Sequence, residues 1–378
     1  MENNSNGNGI KLIHLILVAV VLMICIGGIV VITISKNGNT ETTTDYAIDN
    51  IDSEIAENNE DNEEEEKTEK SAYDGTKEMG KEVEFEIKEV ELPKAPDWFN
   101  EDKGFRDEHD DYWNYDLDAE GNAINVHGYL YSFTGDVTIP DTIDGHKVIS
   151  LGKGPGKYIG SDTEFFETSI NGEAYWNNIT SLVIPEGVKY INNYAFMGLD
   201  NLESVTLPES LIYLGDNAFS HNENLSKINS ENEGEVILPS NLQYLGEEQF
   251  QHNDKITSVK FPEKINYIPD FIFSECEGIT EFIVPEHIEY IGYGAFSRSK
   301  LNKITIGENV KIIDHSAFST TELKEITLPD SVVSIGTWAF YFTPLEKFEY
   351  NGKLDYIGTA VFDYTKIENP LKNSQLPK

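Results

Sequence analysis

Cysteine is scarce in this chain of 378 residues, and so is positive charge. The two cysteines, Cys25 and Cys276, lie far apart, so no framework of disulfides can form, and no Cys/His spacing typical of a metal site occurs. Lys and Arg number 28 against 67 Asp and Glu, which gives a net charge of −39. Phosphate binding needs clustered basic residues, so the composition argues against a nucleic-acid partner.

Recognisable catalytic motifs are also missing from the sequence. There is no H-E-x-x-H, G-x-S-x-G, phosphate loop or dinucleotide fingerprint. Asp116, Asp118 and Glu120 are spaced like the start of a calcium loop, but His127 stands where the loop requires Glu. A strand-turn-strand is the better interpretation there. We expect that the protein is not an enzyme and that it binds neither a metal nor a cofactor. An enzymatic region within 98–178 is the alternative.

A long apolar run, Leu12 to Ile34, stands near the N-terminus. As a helix it would be about 34 Å long, enough to span a bilayer core. A cleaved signal peptide is the alternative, but the run exceeds the usual length and ends without a small-residue cleavage site. We predict a transmembrane signal anchor at 12–35, a short cytoplasmic tail at 1–11, and a single-pass plasma-membrane protein with most of the chain extracellular.

The next segment, 36–97, is polar and acidic and includes four consecutive glutamates, Glu63 to Glu66. Low hydrophobicity with high like charge cannot offset chain entropy, so we predict a disordered stalk that self-repulsion extends. Within it, residues 81–90 alternate charged and apolar side chains, a pattern that weakly favours a local strand.

From Ile179 onward the sequence repeats itself. The pattern L-x-x-[IV]-x-L, usually followed by Pro, recurs every 22 or 23 residues, except in one unit with an eight-residue insertion around 229–235. The units begin at Ile179, Leu202, Leu225, Ile256, Ile279, Leu301, Leu323 and Leu345, with a remnant at Ile367. A phenylalanine column keeps the same spacing: Phe196, Phe219, Phe250, Phe273, Phe296, Phe318, Phe340 and Phe362.

This period predicts a leucine-rich-repeat solenoid, a curved right-handed coil of short parallel strands and turns. One unit buries too few apolar side chains to offset the entropy of ordering it, so the units must stack. We place the leucine-rich repeats at 179–369, a capping module with a first atypical repeat at 98–178, and a C-terminal tail at 370–378. A Gly/Asn/Asp column that includes Gly215 and Gly358, interrupted by Pro269, predicts left-handed turns in most units.

The units resemble the BspA-like leucine-rich-repeat (type 5) surface protein family. The family pattern is matched by Leu323 to Pro329, followed by Ile335-Gly336 and Ala339-Phe340. Two departures are the Cys after the Phe, kept only as Cys276, and a long insertion at 153–178. The resemblance implies a surface protein that adheres to host proteins, matrix or other cells.

Two surface columns stand out within the repeats. On the strands, Glu281, Lys303, Glu325 and Lys347 occupy the same position in four successive units. Alternating charge on neighbouring strands predicts a ladder of exposed ion pairs, each contributing only about 0.2–1 kcal/mol. We interpret this ladder as support for strand register, with ligand contact as the alternative.

The second column is aromatic and is the candidate ligand-binding site. It places Tyr190, Tyr213, Tyr244, Tyr267 and Tyr290 in five successive units, each just before the turn. We predict an exposed stripe of stacked rings, which would suit protein or sugar binding because Tyr offers a large contact area at low entropic cost. Packing of the rings on one another is the alternative.

Anchor, stalk, repeats and resemblance together favour an extracellular protein that recognises or adheres to a protein or glycan ligand on another cell or on the matrix. The alternative is an envelope scaffold or co-receptor that binds another membrane protein of the same cell. The sequence does not name the ligand.

Overall fold

A computed structural model describes residues 22–26, 29–36, 39–42, 72–92, 113–129, 133–152, 166–167, 169–170, 173–174, 178–368 and 370–378. The chain divides into two compact units, Met1–Thr68 and Glu69–Lys378. The acidic run that precedes Trp113, most of the long insertion and the predicted cytoplasmic tail lie outside the described residues.

The first unit contains a three-stranded antiparallel sheet where the sequence predicts a transmembrane helix. Its strands are β1 (Leu22–Ile26), β2 (Ile29–Lys36) and β3 (Asn39–Thr42). In the part of the chain that the structure describes, no helix is long and apolar enough to cross a membrane. The helix prediction counted apolar residues but neglected their type, since the β-branched side chains that fill β2 favour strands.

The second unit begins with a short strand, β4 (Met79–Gly80), and a hairpin of β5 (Trp113–Leu117) and β6 (Ala123–Tyr129). Asp118 lies in the hairpin turn and accepts hydrogen bonds from the backbone N–H groups of Glu120 and Asn122, so this region is the predicted strand-turn-strand. The remaining short strands of the region are β7 (Thr134–Thr138), β8 (Thr142–Ile143), β9 (His146–Lys147), β10 (Ser150–Leu151), β11 (Phe166–Glu167), β12 (Ser169–Ile170) and β13 (Glu173–Ala174).

Each repeat then contributes two short strands to two different rows of parallel strands. The first row, which we call the open face, comes from the L-x-x-[IV]-x-L pattern, and its middle residue points into the core. Its strands are β14 (Asn178–Val183), β16 (Ser204–Thr206), β18 (Lys227–Ile228), β19 (Glu235–Ile237), β21 (Ser258–Lys260), β23 (Glu281–Ile283), β25 (Lys303–Thr305), β27 (Glu325–Thr327) and β29 (Lys347–Glu349).

The second row, which we call the tyrosine face, consists of two-residue strands. They are β15 (Tyr190–Ile191), β17 (Tyr213–Leu214), β20 (Tyr244–Leu245), β22 (Tyr267–Ile268), β24 (Tyr290–Ile291), β26 (Ile312–Ile313), β28 (Ser334–Ile335) and β30 (Tyr356–Ile357). The strands pair in parallel in two groups, β10 to β20 and β22 to β30, so that equivalent residues of successive repeats lie side by side.

The eight-residue insertion extends the open face by one strand. It places β18 and β19 within the same repeat, and Ile228 pairs with Val236 in parallel register. Because β16 pairs with β18 and β19 pairs with β21, the sheet continues across the insertion without a gap.

The phenylalanine column forms the centre of the core. Seven of its eight members are 0% exposed, and Phe362 is 8% exposed. Successive rings lie nearly parallel through the later repeats, with centroid distances of 5.5 Å for Phe296–Phe318 and for Phe318–Phe340. This buried column is the apolar burial that a single repeat cannot supply.

The glycine column has a role different from the predicted one. The positive φ angles do not fall there but two residues later, as at Asn217 (57°) and Glu248 (56°), so the prediction of left-handed turns in this column is wrong. A Cβ atom on Gly358 would lie 2.3 Å from the backbone nitrogen of Thr337. Glycine is needed here because adjacent turns approach too closely to admit a side chain.

The C-terminus packs back onto the last repeat. A 3₁₀ helix, η1 (Asn373–Gln375), lies between the buried side chains of Leu371 and Leu376. Leu354 donates its backbone N–H to the carbonyl of Gln375 at 2.8 Å, so these residues cover the end of the core.

Candidate functional site

The five predicted tyrosines lie side by side on the tyrosine face, but most are not exposed. Tyr213, Tyr267 and Tyr290 are 9%, 3% and 9% exposed, and Tyr190 and Tyr244 are half-buried. The prediction of an open aromatic stripe is therefore wrong. The expected stacking occurs at one pair: the rings of Tyr213 and Tyr244 lie 4.7 Å apart at 8°.

Segment 72–92 covers this face, although the sequence predicts it to be part of a disordered stalk. β4 pairs antiparallel with β30, which places Gly80 opposite Tyr356. We call residues 79–92 the strap. The Phe85 ring stacks on Tyr290 at 4.7 Å and 3° and lies 6.5 Å from the ring of Tyr267.

The strap crosses the tyrosine face in the direction opposite to the order of the repeats. It begins at Tyr356, in the last repeat, and its far end reaches Tyr190. Burial, followed by the nearby Glu91 carboxylate, raises the pKa of the Tyr190 hydroxyl. Val83, Phe85 and other alternate apolar residues pack against the core, while the glutamates between them are exposed.

Tyr73 anchors the chain just before the strap. Its side chain is 8% exposed, and its hydroxyl donates to the carbonyl of Gly358 at 2.8 Å and accepts from the N–H of Val361 at 3.1 Å. Gly80 permits the close approach that follows, because it has a φ of 90° and a Cβ atom there would lie 1.9 Å from the carbonyl oxygen of Asp355. Local order in this acidic segment thus comes from tertiary contacts.

Tyr267 has a structural task that the column pattern does not reveal. In neighbouring repeats the turn residue donates its N–H to the preceding strand, as Gly246 does to Leu214 at 2.8 Å. Pro269 has no N–H. The Tyr267 hydroxyl instead donates to the carbonyl of Leu245 at 3.0 Å and accepts from the N–H of Leu245 at 3.0 Å. It therefore bridges the break between the two strand groups of the tyrosine face.

Four carboxylates, Asp216, Glu247, Asp270 and Asp314, run beside the tyrosines, and we call them the carboxylate row. Burial, with repulsion between neighbouring carboxylates, raises the pKa of Asp270. Partial burial, then Asp270 and Asp216, raises the pKa of Glu247 to about 7, although solvent around this exposed residue screens part of the effect.

Asp314 differs from the rest of the row because a histidine, His315, is hydrogen-bonded to it. Burial opposes its ionisation, but hydrogen bonds from His315 and Tyr290 outweigh burial and lower the pKa of Asp314. The hydrogen bond with Asp314 raises the pKa of His315 in return. Strap residue Glu82 places Oε1 3.8 Å from His315 Nδ1, so this pair also faces the strap.

The predicted charge ladder forms at one step only. Lys303 Nζ lies 3.2 Å from Glu281 Oε2, across the paired strands β23 and β25. Lys347 instead pairs with Glu349 on its own strand, at 3.0 Å. Among the described residues no ion pair joins Glu325 to either lysine. All four ladder residues are exposed, which is consistent with a minor contribution to register.

Sequence reasoning missed an exposed aromatic cluster on the turns of the last repeats. Trp338, Phe342 and Tyr364 are 44%, 57% and 64% exposed, and with half-buried Tyr341 they form the aromatic patch. Phe342 and Tyr364 have ring centroids 5.9 Å apart, and Tyr341 lies 5.2 Å from Tyr364. The three exposed residues have φ near 60°, which costs bulky side chains about 1–2 kcal/mol each. The sequence signal that could have revealed this cluster is the occurrence of aromatic residues at turn positions in adjacent repeats.

Comparisons with solved structures find chains that are similar to this one. A leucine-rich repeat protein from Bacteroides ovatus is 20% identical, with 65% of this chain and 68% of that chain covered and a TM-score of 0.43. A leucine rich cell surface protein from Faecalibacterium prausnitzii is 21% identical, with 65% and 76% covered and a TM-score of 0.38. T. pallidum leucine rich repeat protein is 19% identical, with 65% and 86% covered and a TM-score of 0.34.

A comparison with curated proteins finds no match. The sequence profile of the BspA type leucine rich repeat region matches in 6 copies, over residues 168–298, 229–321 and 289–376. These matches together span more than half of the chain and coincide with the two strand rows. The chain therefore belongs to the BspA-type leucine-rich-repeat family.

Proposed function

We propose that this protein is displayed at the cell surface and binds a protein ligand on another cell or on the extracellular matrix, without catalysing a reaction. The aromatic patch carries the proposal. Exposed Trp and Tyr in a cluster supply large rigid contact area, which is the usual composition of energetically dominant interface positions. Glycans also bind exposed rings and form the second ligand class to be tested.

The conformation of the patch supports a role in binding. Trp338, Phe342 and Tyr364 are bulky residues at positive φ, a backbone conformation that is costly for them. Their rings are also exposed to water, which is a second cost to the folded state. A solenoid turn does not need aromatics there, because the same positions are occupied by Ser316 and Thr320 in the repeat before. Retention of three such residues on adjacent turns is explained if a partner covers them.

Attachment to the membrane is the second part of the proposal. The apolar composition of residues 12–34 supports it, although 22–26 and 29–36 are strands and not the predicted helix. Treatment of intact cells with a protease, followed by detection of the repeats, tests the location. We expect loss of the repeats without cell lysis. Protection until the cells are lysed would contradict surface display.

Adhesion assays test the role of the patch. Cells that display the full chain would be applied to immobilised fibronectin, laminin, collagen and a glycan array, and compared with cells that display Trp338→Ser/Phe342→Ser. We expect the double variant to reduce adhesion about ten-fold or more, as loss of central aromatic contacts does.

Ile283→Ser is the matched control, because Ile283 is 74% exposed and lies on the open face instead of the patch. Its adhesion should equal that of the wild type. Equal adhesion by the patch variant would contradict the proposal. Capture of only same-cell membrane proteins after crosslinking would favour the scaffold alternative.

A further inference from the structure

The strap occupies the tyrosine face mainly through side chains. Beyond β4, Lys81 donates its N–H to the carbonyl of Asp355 at 3.3 Å. In the described chain, residues 82–92 form no backbone hydrogen bond with the repeats. An extended segment held by alternate apolar side chains, without a hydrogen-bonded ladder, is easier to displace than a paired strand.

The strap also fits the face incompletely. A pocket of about 170 Å³, partly open to solvent, lies between Glu82–Phe85 and the repeats, lined there by Tyr290, Ile312, Asp314 and Ser334. This volume leaves room for a larger side chain than the strap supplies at this point.

Charge is the second mismatch between the strap and the face. The strap brings Glu82 to one end of the carboxylate row, beside His315, while Glu84 and Glu86 are exposed. Its two lysines, Lys81 and Lys88, are exposed, and within the described residues His315 pairs with Asp314 whereas Asp216, Glu247 and Asp270 form no ion pair. Because these three carboxylates lie without a cation, a positively charged occupant would complement them better than the acidic strap does.

The hydrogen bonds of the row do not require its charge. Asp216 Oδ1 accepts from the N–H of Glu247 at 3.2 Å, and Asp270 Oδ1 accepts from the N–H of Tyr293 at 2.8 Å. Asn193 performs the same task in its repeat, where its Oδ1 accepts from the N–H of Asp216 at 3.0 Å. A neutral amide therefore satisfies the turn, so the carboxylates of Asp216 and Asp270 add negative charge that these turns do not need.

We infer that the tyrosine face is a binding groove for an extended basic segment of a partner protein, and that the strap is its internal competitor. The segment would carry apolar residues at every second position, as the strap does, with Lys or Arg between them. Position 82 lies at the end of the row, because Glu82 is within 4.8 Å of ligand atoms of Asp314 and His315, so a cation there would meet the Asp314 carboxylate in place of the Glu82–His315 contact. The inference depends neither on surface location nor on the aromatic patch.

A peptide-binding experiment tests this inference. The receptor is the full chain with Gly80→Val and Phe85→Ser, which removes strap contacts without altering the groove. One fluorescent probe is the peptide of residues 79–92, and the other is the same peptide with Glu82→Lys, Glu84→Lys and Glu86→Lys. We expect the basic probe to bind about ten-fold more tightly or better, with an advantage that shrinks as NaCl rises.

Matched controls separate the groove from general attraction to an acidic protein. A basic probe whose apolar residues are shifted by one position should bind weakly, because the shift turns them away from the tyrosines. Asp270→Asn in the receptor should reduce the advantage of the basic probe. Equal binding of the shifted probe, or equal or tighter binding of the parent peptide, would overturn the inference.

A second measurement uses the unmodified chain and so does not depend on the folding of the variant. Excess basic probe should accelerate deuterium uptake by the amides of residues 82–92 as the strap is displaced, whereas the open face should be unaffected. Unchanged uptake by the strap at saturating probe would show that the groove does not exchange its occupant, and the inference would fail.

Discussion

The open face and the tyrosine face are built from the same repeats, yet their surfaces differ. Strands of the open face have an exposed, buried, exposed order, as in Glu281–Ile283, so every second side chain reaches water. Strands of the tyrosine face bury both residues in several repeats, as at Tyr267–Ile268 and Tyr356–Ile357. Within the described residues, one row has a free surface, and the other is covered by a segment from elsewhere in the chain.

The comparison shows that strand pattern alone does not decide exposure. Tyr290 would present its ring to solvent on a bare solenoid, and it is 9% exposed because Phe85 lies on it. Ile283 faces outward on the open face and is 74% exposed, because the described chain places nothing over it. Covering residues, and not the repeats themselves, make the difference.

The largest effect should come from releasing the strap through its anchor. Tyr73→Ala removes a buried ring and two hydrogen bonds, so we expect strap docking to weaken by about 3 kcal/mol. Deuterium uptake by residues 79–92 measures this weakening. Tyr364→Ala, which truncates a tyrosine that is 64% exposed, should change stability by less than about 0.5 kcal/mol. Unchanged protection of the strap in Tyr73→Ala would contradict the anchoring role of Tyr73.

Tyr267→Phe should have the next largest effect, because it removes the hydroxyl that bridges the two strand groups of the tyrosine face. It leaves both the N–H and the carbonyl of Leu245 without the partner shown here, at a cost of about 1–3 kcal/mol. Urea unfolding gives the free energy. Tyr244→Phe serves as the control because the Tyr244 hydroxyl bonds to the partly solvated Asp216. A smaller loss in Tyr267→Phe than in this control would contradict the bridging role.

A smaller and pH-dependent effect is expected at His315, where strap and repeats meet. Its hydrogen bond with Asp314 raises the pKa above the usual value, burial opposes this, and Asp314, Glu82 and Glu78 add attraction. The stabilisation is therefore complete below about pH 6.5 and is lost as pH rises through the raised value. We expect at most about 1 kcal/mol, measured as strap protection against pH.

His315→Gln should flatten that pH profile while leaving the open face unchanged. The carboxylate row must be included in the comparison, because a raised carboxyl pKa, as in Glu247, also favours the folded state at lower pH. A profile in His315→Gln as steep as that of the wild type would assign the dependence to the row instead of the histidine.

The smallest effect should occur on the open face. Lys303→Met removes an exposed ion pair with Glu281, and we expect a loss of about 0.5 kcal/mol or less that disappears at high salt. Thermal unfolding at low and high NaCl measures it. A salt-independent loss above 1 kcal/mol, about twice that expectation, would show that the two faces are more alike in their energetics than their exposure suggests.

Much of the solenoid follows from local sequence. Residues within one period determine the strand pattern, the phenylalanine column and the place of the insertion. Neighbouring repeats then make the same contacts. The helix predicted at 12–35 is wrong at 22–26 and 29–36, and the left-handed glycine column is wrong, because each prediction rested on one property, apolarity or tolerance of positive φ. Strand propensity at Ile29–Lys36 and close approach at Gly358 decided otherwise.

The sequence by itself determined the repeat architecture, since an apolar pattern of constant period can bury itself only by stacking. Tertiary structure decided which part of the surface is exposed. Tyr73 accepts a hydrogen bond from Val361, 288 positions away in the chain, and the strap then covers the candidate binding residues. The pattern within a repeat cannot predict this contact. The free energy of the contact comes from side chains that become neighbours only after the solenoid has formed.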